Sequence, residues 1–170
     1  MASKLAPKGY TGMQIALHWI IAALVIFQLF FGEEIGPAYD AFQDGKVPSD
    51  AHLFDAHVHV YVGISILVLA LWRLLIRFRH GVPLLPADEN RVLKAIAIAT
   101  HGVLYLIIIG MPLSGMTAWF LGFDPAGELH EWGKPVAIVF VSVHALAALW
   151  QHFVARTNVL TRMLRPERTA

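Results

Sequence analysis

The chain has no cysteine in 170 residues. That excludes disulfides, thiolate-held metal clusters and any group attached through a Cys-x-x-Cys-His motif, so a redox centre here needs other ligands. Charge is scarce too: Asp, Glu, Lys and Arg make up 15% of the chain, against roughly a quarter in soluble domains. Strand-length segments of alternating polarity are missing, which removes the transmembrane β-barrel. No internal repeat and no low-complexity tract is found.

What fills the chain instead is apolar sequence, 57% of it. Four runs stand out, at 15–31, 58–76, 95–116 and 136–155, and each approaches the ~20 residues that cross a ~30 Å hydrocarbon layer. Lipid leaves backbone groups no water to bond, so such runs span as helices. The expectation is an all-α integral membrane four-helix bundle, a single domain over 1–170, with helices near 12–32, 57–78, 92–117 and 129–156. The first run is interrupted by His18, Trp19 and Gln28 and lacks a small-residue cleavage pattern, so it is expected to remain as a helix and not to be removed as a signal peptide. Pro112 is expected to bend the third helix, and Pro135 to kink the fourth between His130 and its apolar run.

Lysine and arginine set the orientation. Lys4, Lys8, Arg73, Arg77, Arg79, Arg91, Lys94, Arg156, Arg162, Arg165 and Arg168 fall in the two tails and the second connection, leaving only Lys46 and Lys134 for the other side. The positive-inside rule then places the N and C termini in the cytoplasm and the connections 32–57 and 117–134 outside. Those outer connections are acidic, carrying Glu33, Glu34, Asp40, Asp44, Asp50, Asp55, Asp124, Glu128 and Glu131. Trp19, Trp72, Trp119, Trp132 and Trp150 lie mostly near helix ends and read as an interfacial belt. The partner implied by all of this is the lipid bilayer; no nucleic-acid partner is expected, and a homodimer is compatible with so small a bundle.

Nine histidines occur, and His18, His59, His101, His144 and His152 lie in or beside apolar runs. Imidazoles at membrane depth are costly, which makes a functional role the default explanation; the plainer alternative is a hydrogen bond to a neighbouring helix. In "LHEWGKPVAIVFVSVHA", His130 and His144 are fourteen residues apart. That is about 40° short of four full turns, so both face nearly one way, roughly 21 Å apart. By depth, His59 or His57 sits with His130 at the outer level, with His59 in the first turn of its helix, and His18 or His101 sits with His144 at the inner level. Opposed imidazoles from facing helices are a natural axial set for haem iron, and without cysteine such haem is noncovalent and b-type. Zinc, which favours three or four convergent ligands, suits pairs at two depths poorly. His152 reads as interfacial or quinone-proximal. Arg73 and Arg77 mark the cytoplasmic border or pair with haem propionates.

"ALHW", "HVYVGISILVLALWRLLIRF", "HGVLYLIIIGMPLSG", "LHEWGKPVAIVFVSVHALAAL" and "NVLTRMLRP" follow one another in this order. Together they resemble the bacterial cytochrome b561 family, small four-helix di-haem proteins of the inner membrane, over nearly the whole chain. The resemblance implies two haem b groups, with His18 and His144 on the inner iron and His59 and His130 on the outer one, in preference to His101 and His57. It also implies a superoxide:ubiquinone oxidoreductase, passing electrons from superoxide at the periplasmic face through both haems to ubiquinone. The alternative is a cytochrome b subunit passing electrons between quinone and a hydrogenase- or dehydrogenase-type partner. Superoxide is an anion, so the acidic outer side requires Lys46 and Lys134 to make a local positive patch.

Overall fold

The structure is a computed structural model and describes residue 7 and residues 9–85 and 90–166. Lys4, Lys8, Arg168 and the extreme ends of the expected domain lie outside the described residues. Every regular element among those described is helical. Helix α1 is Gly12–Phe31, followed by a 3-10 turn, Gly32–Ile35, and a short helix α2, Gly36–Gln43. Then come α3 (Asp50–His80), α4 (Arg91–Leu121), α5 (Asp124–Phe153) and the short α6 (Val159–Arg162). Among the described residues, four segments are long and apolar enough to cross a membrane: Gly12–Gln43, Asp50–His80, Arg91–Leu121 and Asp124–Phe153.

The ends of these helices follow from local chemistry. Thr11 and Gln14 close a reciprocal capping box on α1, Ser49 accepts from the His52 amide at the start of α3, and Asn90 accepts from the Val92 amide at the start of α4. Each satisfies an amide that the first turn leaves unpaired. Gly122 ends α4 in a left-handed conformation (φ 62°), which a residue without Cβ adopts at little cost. Only Gly122 and Phe123 separate α4 from α5.

Two helices start earlier than their apolar runs suggest. α3 begins at Asp50 because Ser49 caps the polar stretch "DAHLFDA", which puts His59 in its third turn instead of its first. α5 begins at Asp124, with Pro125 in its first turn, where a missing N–H costs nothing. The expected outer connection 117–134 is therefore almost entirely helix. Both internal prolines lie within unbroken helices, Pro112 in α4 and Pro135 in α5.

α1 packs on α3, α3 on α4, and α4 on α5. Buried apolar side chains are few and mostly small, with Ala38, Ala56 and Ala70 fully buried beside Leu17, Ile21 and Ile66. Large ones such as Phe30, Phe78 and Leu106 face outward. This is the distribution expected where lipid tails solvate apolar surface and helices approach through small residues.

The start of α1, the end of α3 and the C-terminal segment meet at one end of the bundle. Gln14 Nε2 donates to the Gly81 carbonyl (2.9 Å), Trp19 Nε1 to the Met163 carbonyl (2.7 Å) and an Arg162 nitrogen to the Leu84 carbonyl (2.9 Å). We call this the terminal end. The end of α1, α2, the start of α3 and the α4–α5 turn form the opposite end.

Candidate functional site

At the opposite end, His59 on α3 and His130 on α5 face each other, with ring centres 5.8 Å apart and planes at 71°. His130 Nδ1 lies 2.8 Å from the Met111 carbonyl. A carbonyl only accepts, so Nδ1 carries the proton and Nε2 keeps its lone pair, the state in which a histidine ligates a metal. The ring also closes on Gly115 of α4: a Cβ there would stand 2.9 Å from two of its atoms. His59 packs on Gly32 at the end of α1, where a Cβ would lie 3.2 Å from Nδ1. Its backbone carbonyl accepts from Gln28 Nε2 (2.9 Å). A cavity of about 510 Å³ lies between these groups, lined by both histidines and by Gln28, Met111, Tyr39 and Trp119 among others.

At the terminal end, three histidines converge. His144 on α5 stands 6.1 Å from His18 on α1, with planes at 70°, and 5.2 Å from His101 on α4, with planes at 73°. His18 and His144 are half-buried, while His101 is exposed. His57 is exposed and tilts over Tyr61 of its own helix. His152 meets only the edge of its neighbour Phe153 among the ring contacts. Arg73 donates to the Gln14 carbonyl (2.6 Å), tying α3 to α1, and Arg77 lies over the Tyr105 ring (5.8 Å).

Both His–His gaps suit a metal between the rings. Imidazole nitrogen binds a first-row metal at about 2.0–2.1 Å, so two rings on opposite sides of one ion have centres roughly 6 Å apart. The helices that carry these couples, α1 with α5 and α3 with α5, do not pack closely on each other, which leaves width for a flat group. Gly32 and Gly115 supply the recesses in which the His59 and His130 rings sit. Among the described residues, no group of three or more His, Asp or Glu side chains is arranged to hold a bare metal ion. The donor set thus fits haem, which brings four ligands of its own and asks the protein for two.

The rim departs from one expectation. Lys134, one turn beyond His130, is ion-paired to Glu33 across the cavity mouth, and Lys46 is paired to Asp44 (2.8 Å). With Asp40 and Glu131 also lining the cavity, the expected positive patch does not form. Nor is Trp119 simply a belt residue. It stacks with Tyr39 (6.5 Å, 27°) and meets the edge of Phe42 (5.4 Å), closing the cavity under α2. Gln43 bridges Tyr39 Oη (3.0 Å) and Asp124 (2.6 Å), binding α2 to the start of α5. The amphipathic "GPAYDAFQ" was the available signal for α2; its partners on α4 and α5 carry none in sequence.

A membrane bundle of apolar helices with imidazoles facing each other across gaps at two depths is the architecture of an intramembrane cytochrome. Comparison with known proteins gives the same class. The sequence matches the prokaryotic cytochrome b561 family over residues 9–166, and the chain belongs to that family. It is 38% identical to cytochrome b562 of Cereibacter sphaeroides over 161 residues, covering 93% of this chain and 96% of that protein. It is 28% identical to the probable superoxide oxidase CybB of Yersinia pestis over 183 residues, 95% of this chain and 98% of the relative. Cytochrome b561 homolog 1 of Escherichia coli is 29% identical over 177 residues, 91% of this chain and 96% of the relative. The protein is a multi-pass inner-membrane oxidoreductase that carries out cytochrome b561-type transmembrane electron transfer, and its family implies haem b.

Proposed function

We propose that the chain holds two noncovalent b haems, one on His59 and His130 and one on His18 and His144, and moves electrons across the membrane from superoxide to ubiquinone. The observation that carries this is the pair of facing imidazole couples, 5.8 and 6.1 Å between ring centres, at two levels of one bundle. Haem b held by these histidines would supply reversible one-electron chemistry. Each superoxide gives up one electron and leaves as oxygen. Ubiquinone takes two electrons and two protons from water to become ubiquinol.

The protein's own part is to hold the ligands and control access. The Met111 carbonyl holds His130 in its ligating tautomer. His101, at 5.2 Å from His144, is closer than a shared metal would set it. Tyr39 and Trp119 close the cavity beneath α2. The basic residues at the terminal end favour its placement in the cytoplasm, so the opposite end, with the His59–His130 cavity, faces outward. Superoxide as donor is supported by the name of the Yersinia pestis relative. With Lys134 already paired to Glu33, the anion meets an unshielded cation only by displacing that carboxylate. Recognition is then short-range.

The test is a pyridine haemochrome count on the purified protein, followed by superoxide-driven ubiquinone reduction. Two b haems per chain are expected, falling to one in His144→Ala and staying at two in His101→Ala. Haem loss in His101→Ala would overturn the inner pairing. A dehydrogenase-type subunit co-purifying in fixed ratio, with no ubiquinol formed from superoxide, would replace the proposed donor.

A further inference from the structure

The packing of the long helices runs from α1 to α3, from α3 to α4 and from α4 to α5, and leaves the edge between α1 and α5 without close packing among the described residues. Across that open edge His18 of α1 faces His144 of α5, with ring centres 6.1 Å apart. We infer that the C-terminal segment closes this edge, and that Trp19, held by the Met163 carbonyl, is a positioning residue that sets His18 against His144. The inference rests on the assignment of a haem to that couple.

The segment is shaped to turn back on the bundle. Arg156 takes a left-handed conformation (φ 53°), which a residue with a Cβ adopts at a cost and keeps where its surroundings impose it. Thr157 secures the turn, its amide donating to the Gln151 carbonyl (2.9 Å) and its hydroxyl to Gln151 Oε1 (2.7 Å). α6 follows and packs on α5. From there an Arg162 nitrogen donates to the Leu84 carbonyl, between α3 and α4 (2.9 Å). The Met163 carbonyl accepts from the Trp19 indole N–H (2.7 Å). A chain that leaves α5 is thus bound to α1 across the open edge.

Trp19 carries that hold to the histidine beside it. The His18 and Trp19 rings stand edge to face, 5.2 Å apart with planes at 73°. A turn of α1 about its axis, or a movement away from α5, shifts His18 and at the same time draws the indole off the Met163 carbonyl. Apolar contact resists such a movement poorly, because lipid tails solvate a helix face as well as a neighbouring helix does. A directed hydrogen bond of normal length does resist it. A belt role alone would ask for no partner within the protein.

The experiment uses the whole purified protein. It reads haem per chain, the low-spin electron paramagnetic resonance signals of the two haems, and the rate at which each passes to excess apomyoglobin. The signal missing from His144→Ala marks the inner haem. Trp19→Phe keeps a ring beside His18 and removes the donor. It is expected to retain two haems and to shift the inner signal, which follows the angle between the two imidazole planes. Its inner haem should be released roughly twofold to tenfold faster, the factor that one lost hydrogen bond produces. Arg162→Ala, which frees the segment from Leu84, is expected to act in the same direction more weakly, with Arg162→Lys restoring wild-type behaviour. The outer haem is the reference within each molecule, and its signal and release rate should not move. An inner haem unchanged in Trp19→Phe overturns the inference and leaves the haem assignment standing. An equal change in both haems also overturns it, since that is a general loss of stability. Should Trp19→Phe yield no folded protein, the two Arg162 variants decide on the same readings. A wild-type protein with fewer than two haems overturns the assignment itself, and the inference with it.

Discussion

Gly115 shows how much a single side chain decides at this site. The His130 ring occupies the space a Cβ would need, 2.9 Å away on two atoms, so Gly115→Val has to displace either α4 or the ligand. Cores and cradles this tight transmit such volume as strain. On the proposed two-haem assignment, haem content is expected to fall from two to one per chain by pyridine haemochrome, with the haem assigned to His18 and His144 retained; an unchanged count would mean that the ring can move without losing iron. In sequence, Gly115 is one small residue among several on an apolar helix. That the occupant is His130 depends on the rotation of α4 against α5, which sequence spacing does not state.

Among the elements, α5 carries a histidine of each couple and contains Pro135 between them. The proline removes the amide that would serve the Glu131 carbonyl, yet the helix runs unbroken from Asp124 to Phe153. Both His130 and His144 reach partners, on α3 and α1. The expected kink therefore does not take either histidine out of reach of its partner. Pro135→Ala is expected to leave two haems in place and to raise Tm by roughly 2–4 °C, since a recovered hydrogen bond contributes about 1 kcal/mol. Loss of the outer haem in this variant would show instead that the proline sets the phase of the two ligands. The early starts of α3 and α5 were hidden for a different reason. Hydropathy marks where a helix enters lipid, while Ser49 and Pro125 mark where the helix itself begins, outside that layer.

Across the whole molecule, charge is divided between the ends, and at the opposite end the two lysines are neutralised by neighbours. Glu33 cancels Lys134 at the mouth of the cavity. Glu33→Gln is expected to free that cation and speed the proposed superoxide-driven ubiquinone reduction about threefold to tenfold at low ionic strength, as removal of a screening charge at an entrance does. The gain should vanish in high salt, where the Debye length shrinks to about 3 Å. A stopped-flow series across ionic strength checks this, and an unchanged rate at low salt would place the route of the anion away from Lys134.

Much of the plan was legible in one dimension. Four apolar runs, the absence of cysteine and the fourteen-residue interval between His130 and His144 are properties of a line of residues, and helical periodicity converts them directly into spans and facing directions. Only the tertiary structure decided which ring meets which. It set His101 nearer to His144 than His18 is, turned His57 toward Tyr61, gave His130 the Met111 carbonyl and set the His59 ring against Gly32. It also paired Lys134 with Glu33, 101 residues away in the chain. These outcomes depend on how helices rotate and approach one another, and that is settled by close packing between surfaces whose contact no local pattern encodes.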